Sequence, residues 1–536
     1  MIATPLSQPH TLPNVPTHRP SWRLRAGAAV CAAAQLFAPV YAQNQLPSLG
    51  DPASEDLSIA TEHKLGEEIM REIRADPDYL DDPVLLEYVD SVWQPLVAQA
   101  RARGNISADI DQRLAWEPFL IRDKQVNAFA LPGGYVGVYL GMVALTGTRD
   151  ELASVLAHEM SHITQRHIAR SIANSKRQSM LGLAALLAGI VVASRAGSSS
   201  IDAANATIVG SQALAVQGML NFSRDMEREA DRVGFQVLAG AGFAPGGMAA
   251  MFEKLDQSSR LNDAGGYPYL RSHPLTSERI GEARSRMGTA APVAPVNALE
   301  HTAAQARARV LMDSRFDALR RWQALDGDRV ATTTTDKLLN AYESGFASTL
   351  LRDWARADAA IATAAALVRD AGDKRAQRAV ALLDVQSLLA RGDISRANAA
   401  LAPYAADNSR PVLLLAAQAT LAAAPGAPSP DHPALRQRAE QLQTWVAVHP
   451  RDSLAWTALS QVQERLSQPL RAVRSDAESR FALGDLNGAA DRLQAGQRRA
   501  RSGGSVDFID VSVIDARLRD IELLRRQRKA DEKELR

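Results

Sequence analysis

The chain has 536 residues and a mass of 57.7 kDa, too much for one ordinary core, so two or more domains are expected and a lone small binding module is excluded. Hydrophobic residues at 46% and charged residues at 23% describe a globular protein rather than a disordered tail or a multi-span membrane protein. With 61 basic and 60 acidic residues the net charge is +1, which offers no general field to nucleic acid, so function has to be sought in particular sites.

The first 42 residues hold no Asp or Glu, and Arg19, Arg23 and Arg25 precede an apolar run from Ala26 to about Ala38. That order is the plan of a secretory signal, with cleavage expected after Ala42. The single cysteine, Cys31, lies inside this run. Cleavage removes it, so a zinc site in the mature chain has to be built from His and carboxylate.

Two helical patterns follow, Leu57 to Ile73 and Val84 to Val97, punctuated by Pro77 and Pro83. Short β-type runs come next at Phe119 to Ile121, Ala128 to Leu131 and Tyr135 to Tyr139, the last two joined through Pro132, Gly133 and Gly134 as a small ribbon. Thr148 to Ala169 reads as one helix, with Thr148 as N-cap and Glu151 completing a capping box. The apolar stretch Met180 to Ala193 is too short to span a bilayer; it reads as a buried helix or hydrophobic flap, with peripheral membrane contact of the 180–200 segment as the alternative. A helix from about Ser223 to Leu238 ends at Gly240.

Ala290, Ala291, Pro292, Val293, Ala294 and Pro295 read as a linker. Beyond it the composition is helix-forming and alanine-rich. Arg391, Gly392, Asp393 and Ala397 recur as Leu483, Gly484, Asp485 and Ala489, the pattern of a glycine between two helices and a small residue where they cross. Trp456 and Leu459, after His449 and Pro450, match the positions that open a helix-turn-helix repeat. The spacing is irregular, and Pro425, Pro428, Pro430 and Pro433 interrupt it, so the repeats are degenerate. The dense charges from Asp515 to Arg536 mark a solvated final helix.

The strongest chemical signal is His158, Glu159, Met160, Ser161, His162. Histidines at i and i+4 share a helix face and can hold one metal ion, with Glu159 beside them as general base. Leu152, Val155 and Leu156 bury this helix rather than expose it. A metzincin would place Gly and His where Gln165 and Ile168 stand, so that class is excluded, and His167, five residues after His162, is turned away from the ligand face and reads as structural or surface. The third ligand of a catalytic zinc is then sought on another helix. Glu227 and Asp231 share a face at i and i+4, Ala230 is small enough for two helices to approach, and Glu229 points elsewhere. Spacing alone leaves Glu227 open to the ordinary reading of a solvated acidic face, and His273 before Pro274 open to that of a surface or capping residue.

Asn127 to Tyr139, His158 to His162, Glu227 to Asp231, and Ser272, His273 and Pro274 together resemble the gluzincin peptidases related to the CAAX prenyl protease and the heat-shock membrane protease, in particular their soluble periplasmic branch with a tetratricopeptide domain. The resemblance implies a mainly α fold with a small β ribbon: a signal peptide over 1–42, a zinc metallopeptidase domain over 43–288, a linker over 289–298, a tetratricopeptide-like solenoid over 299–510 and a charged helix over 511–536. It implies one Zn2+ per chain held by His158, His162 and Glu227, with Glu159 catalytic and Asp231 orienting a ligand imidazole. His273 becomes a regulatory fourth ligand or an aid to catalysis. Ala128, Phe129, Ala130, Val136 and Val138 form the open strand to which an extended substrate adds. The function implied is periplasmic degradation of misfolded or stalled outer-membrane proteins, with assistance to their assembly and contact with the assembly machinery through the repeats. The competing reading is a chaperone or assembly factor whose zinc site is plugged or structural.

Overall fold

The computed structural model describes residues 58–174, 223–260, 268–287, 298–327, 330–502 and 508–534. The signal segment 1–42, the apolar run 180–193 and the linker 289–297 lie outside them. Helix α1 (Ile59–Ala75) starts where the Ser58 hydroxyl accepts the Thr61 N–H at 3.1 Å. Helix α2 (Pro83–Ala102) is capped by Asp82, which accepts the Leu85 N–H at 2.8 Å, and Pro83 sits in the first turn, where its missing N–H costs nothing. It runs past the expected end at Val97. Helix α3 (Ala108–Arg113) leads into the sheet.

The sheet has four strands, β1 (Tyr79–Leu80), β2 (Glu117–Ile121), β3 (Ala128–Leu131) and β4 (Tyr135–Tyr139), in the order β1-β2-β4-β3. β3 and β4 are an antiparallel hairpin with Ala128 opposite Val138 and Ala130 opposite Val136. β2 pairs in parallel with the other side of β4, Pro118 opposite Val136 and Leu120 opposite Val138. The expected ribbon is therefore a wider sheet, and Val136 and Val138 need correction as substrate-strand residues. β4 is hydrogen-bonded on both sides, so of the two hairpin strands β3, with Ala128, Phe129 and Ala130, is the one at an edge of the sheet. The hairpin turns at Gly133 and Gly134, both with φ above +80°.

Among the described residues, helices α4 (Leu140–Leu145), α5 (Arg149–Thr164), α6 (His167–Asn174), α7 (Arg224–Gly240), α8 (Gly246–Arg260), α9 (Pro268–Ser272) and α10 (Ser277–Met287) follow in the first half. Its core joins Leu85, Val89, Trp93 and Leu96 of α2, Leu120, Val136 and Val138 of the sheet, and Leu152, Leu156 and Met160 of α5. The Trp93 indole N–H donates to the Trp116 carbonyl at 2.7 Å, which satisfies the one polar atom this large ring brings inside.

Helix α11 (Ala298–Met312) has two faces in use. Ala304 and Ala308 belong to the core just described, while Leu299, Ala303, Ala306 and Val310 pack with Leu338, Tyr342 and Phe346 of the helices that follow. These are successive helices folded against their neighbours in sequence. Gly392 and Gly484, both at φ +82°, make the turns the sequence pointed to, with Ala397 and Ala489 fully buried at the crossings. The same turn recurs at Gly372 and, with a strained non-glycine residue, at Arg352. Asp353, Asp373 and Asp393 then cap the next helix. The final helix, Phe508–Glu534, is not solvated along its whole length: Ile514, Leu518 and Ile521 pack onto Ala489 and Leu493.

Candidate metal centre

Helix α5 opens with Thr148, whose hydroxyl accepts the Glu151 N–H at 3.1 Å, while the Glu151 carboxylate accepts the N–H of Gly147 rather than that of Thr148. Fourteen residues from Glu151 to Thr164 are buried, so this helix runs through the core and carries His158, Glu159 and His162 with it. α7 crosses it closely. A Cβ at Gly234 would stand 3.0 Å from the Ala157 carbonyl oxygen and 3.2 Å from the His158 nitrogen, so Gly234, one turn beyond the buried Ala230, is what lets the helices touch. That approach places Glu227, at the start of α7, over the two imidazoles.

His158, His162, Glu227 and His273 each offer a donor atom, and these atoms lie within 4.8 Å of one another, all buried. His158 Nε2 is 3.0 Å from His162 Nε2 and 3.4 Å from Glu227 Oε2; His162 Nε2 is 3.5 Å from Glu227 Oε1. His273 Nδ1 is 2.9 Å from Glu227 Oε1 and 3.3 Å from His158 Nε2. A tetrahedral zinc with bonds of about 2.0–2.1 Å spaces its donors about 3.3–3.4 Å apart, which these separations bracket. The nitrogen and oxygen donor set, without thiolate, fits the same ion.

The surroundings orient the donors. His158 Nδ1 lies 3.0 Å from Asp231 Oδ1, as expected for Asp231. Arg279, a residue the sequence reading did not single out, grips Asp231 through two hydrogen bonds of 2.7 and 2.8 Å and reaches Glu227 Oε2 at 2.8 Å. It neutralises two carboxylates that would otherwise be buried at great cost. Burial works against ionisation of Glu227, but His273 and His158 outweigh it and hold the carboxyl well below its usual range. Asp231 is likewise held down, against burial, by Arg279 and His158.

Glu159 differs. Burial pushes its pKa up. Its Oε2 accepts the Ala130 N–H at 3.0 Å, while Oε1 has no hydrogen-bond partner among the described residues and stands 3.5 Å from His273 Nε2. One oxygen is thus tethered to the edge strand and the other faces the donor cluster.

His167 is structural rather than a surface residue, and the helix that carries it is not the one expected. The expected continuous helix to Ala169 is broken: α5 ends at Thr164, Arg166 takes the left-handed conformation at φ 53°, and α6 starts at His167. The turn swings the His167 ring back, fully buried, with Nδ1 2.9 Å from His162 Nδ1 and Nε2 3.1 Å from Glu229 Oε2. Burial lowers its pKa to about 4. Glu229 does point away from the donor cluster, as expected, but toward His167 and Arg170.

Two imidazoles from α5 and a carboxylate from α7, with a buried glutamate beside them, form the arrangement of a gluzincin-type metallopeptidase. Residues 91–287 match the model of peptidase family M48. It is 38% identical over 281 residues to a putative beta-barrel assembly-enhancing protease of Vibrio cholerae, covering 52% of this chain and 55% of that one. To the beta-barrel assembly-enhancing protease of Escherichia coli it is 32% identical over 272 residues, 50% of this chain and 53% of that one. To the mitochondrial metalloendopeptidase OMA1 of Schizosaccharomyces pombe it is 30% identical over 233 residues, 42% of this chain and 60% of that one. The chain thus spans about half the length of the bacterial relatives it matches. Among the described residues no helix is long and apolar enough to cross a membrane.

Proposed function

We propose that this chain is a zinc-dependent endopeptidase of the periplasm that degrades misfolded or stalled outer-membrane proteins and assists their assembly. The observation that carries this reading is the buried cluster of His158, His162, Glu227 and His273 with Glu159 Oε1 turned toward it. Zinc bound by His158, His162 and Glu227 would polarise the scissile carbonyl and acidify a water molecule. Asp231 fixes the His158 ring, so that Nε2 presents its lone pair to the cluster. Glu159 takes the water proton on Oε1 and delivers it to the leaving amine; burial, by raising its pKa, moves it toward the neutral range where a group can both accept and release a proton. The N–H of Ala130 keeps the carboxylate turned correctly.

An extended substrate joins the outer edge of β3 through the main chain of Ala128 and the carbonyl of Ala130, whose N–H is given to Glu159. Such pairing reads backbone rather than side chains and suits unfolded or misassembled chains. The helical second half offers the surface for protein partners, the outer-membrane assembly machinery among them, and the names of the bacterial relatives support that assignment.

The place of His273 within the donor cluster favours a resting state in which it fills the position the substrate needs. It also keeps in view the rival reading, an assembly factor whose site stays plugged. Casein digestion with and without chelator separates the two. Wild type should show chelator-sensitive cleavage, Glu159→Gln should lose about 100-fold or more, and His273→Ala should cleave faster than wild type. Cleavage retained by Glu159→Gln, or none from either wild type or His273→Ala, contradicts the peptidase reading.

A further inference from the structure

The two histidines of the donor pair face the same requirement. To offer a lone pair from Nε2, each has to carry its proton on Nδ1, and something has to accept that proton's hydrogen bond. For His158 the acceptor is a carboxylate, Asp231 Oδ1 at 3.0 Å. For His162 the group at Nδ1 is another imidazole, His167 Nδ1 at 2.9 Å. Of two facing ring nitrogens one donates and one accepts. His167 Nε2 lies 3.1 Å from Glu229 Oε2, an oxygen that Arg170 also holds at 2.9 Å. An ionised carboxylate only accepts, so the proton of neutral His167 sits on Nε2, and its Nδ1 is left to accept from His162.

We infer that His167 is a positioning residue: it receives the Nδ1–H of His162 and passes the orientation on to Glu229, so that a Glu229–His167–His162 relay fixes the tautomer of the second histidine donor. The turn at Arg166 makes the relay possible. Its left-handed backbone donates to the Ile163 carbonyl at 3.0 Å, and its guanidinium pairs with Glu62 at 3.3 Å, which holds a strained conformation that brings His167 back against the helix it has just left. The inference rests on the reading of His158, His162 and Glu227 as metal donors.

The test is zinc affinity of the full chain, measured by competition with a chromophoric chelator, beside the melting temperature of the metal-free protein. His167→Phe fills the space without an acceptor and should weaken zinc about 10- to 100-fold. His167→Asn restores an acceptor where Nδ1 stands, and should recover most of that loss. Glu229→Leu, at a partly exposed position, should weaken zinc several-fold with the fold intact. An unchanged affinity in His167→Phe, or an equal loss in His167→Asn, overturns the relay. Should His167→Phe not fold, an unchanged affinity in Glu229→Leu overturns it. Wild type that binds no zinc removes the donor reading and the relay together, whereas wild type that binds with variants unaffected removes the relay alone.

Discussion

At the scale of single residues, the centre works by opposing burial with paired charge. Glu227 and Asp231 are buried carboxylates kept ionised by Arg279 and the imidazoles, while Glu159, on the same helix turn as His158, has one oxygen without a hydrogen-bond partner among the described residues and its pKa raised. The same physics acts away from the centre. Glu343 is buried, and burial lifts its pKa from the model-peptide value of 4.5 to about 7, with Arg309 at 3.4 Å compensating only in part. The folded state therefore binds this proton more tightly than the unfolded chain. Its contribution is fully present below pH 4.5 and is lost as pH rises through 7, a difference of about 3 kcal/mol. Glu343→Gln should be more stable than wild type at pH 8 and indistinguishable from it near pH 4.5. Thermal unfolding at the two pH values checks this, and an equal effect at both would show that the charge is not what burial penalises.

At the scale of elements, the position of Glu227 depends on how closely α7 lies on α5. Gly234 permits that contact, since any larger side chain there meets the backbone at Ala157 and His158. Gly234→Leu gains about 1 kcal/mol in helix propensity. Overpacking of an already dense crossing costs about 1–3 kcal/mol and pushes Glu227 off the histidine pair. The expected result is a loss of stability in chemical denaturation together with weaker zinc binding; an unperturbed zinc affinity would mean that Glu227 is placed by something other than this crossing. Elements were legible in the sequence where local signals act: the cap at Thr148, the helix start near Ser223, the glycine turn of the hairpin, and the apolar flank that buries His158 and His162. The rest depends on contacts distant in sequence. That β4 lies inside the sheet follows from its parallel partner β2, which alternation within Tyr135–Tyr139 does not reveal. His167 was misplaced because helical spacing assumes an unbroken helix, and the break rests on an arginine in a conformation that residue rarely adopts. Arg279 gave no signal of its own, since its carboxylate partners Asp231 and Glu227 stand 48 residues or more away.

At the scale of the whole molecule, charged contacts tie the helical half to the first helices. Arg307 of α11 makes two 2.7 Å hydrogen bonds to Asp82, the residue that caps α2. Arg410 bridges Asp81 and Asp452, Arg378 reaches Glu87, and Arg451 reaches Glu67. Of these the Arg307 pair is the most deeply buried. Removing one partner leaves an unpaired buried charge, so Arg307→Met should cost about 3–5 kcal/mol. Because α11 packs on both cores, both halves should lose that stability. Asp82→Asn added to Arg307→Met should recover part of it. Full additivity of the two substitutions would show that the pair is not coupled.

The central claim is that His158, His162 and Glu227 hold a metal ion between α5 and α7. The most direct measurement is the metal content of the purified protein by elemental analysis, for wild type and for Glu227→Ala, with circular dichroism to establish that both are folded. One zinc per wild-type chain is expected, and little or none in the folded variant. A folded wild type without zinc, or a Glu227→Ala protein that retains it in full, would contradict the account.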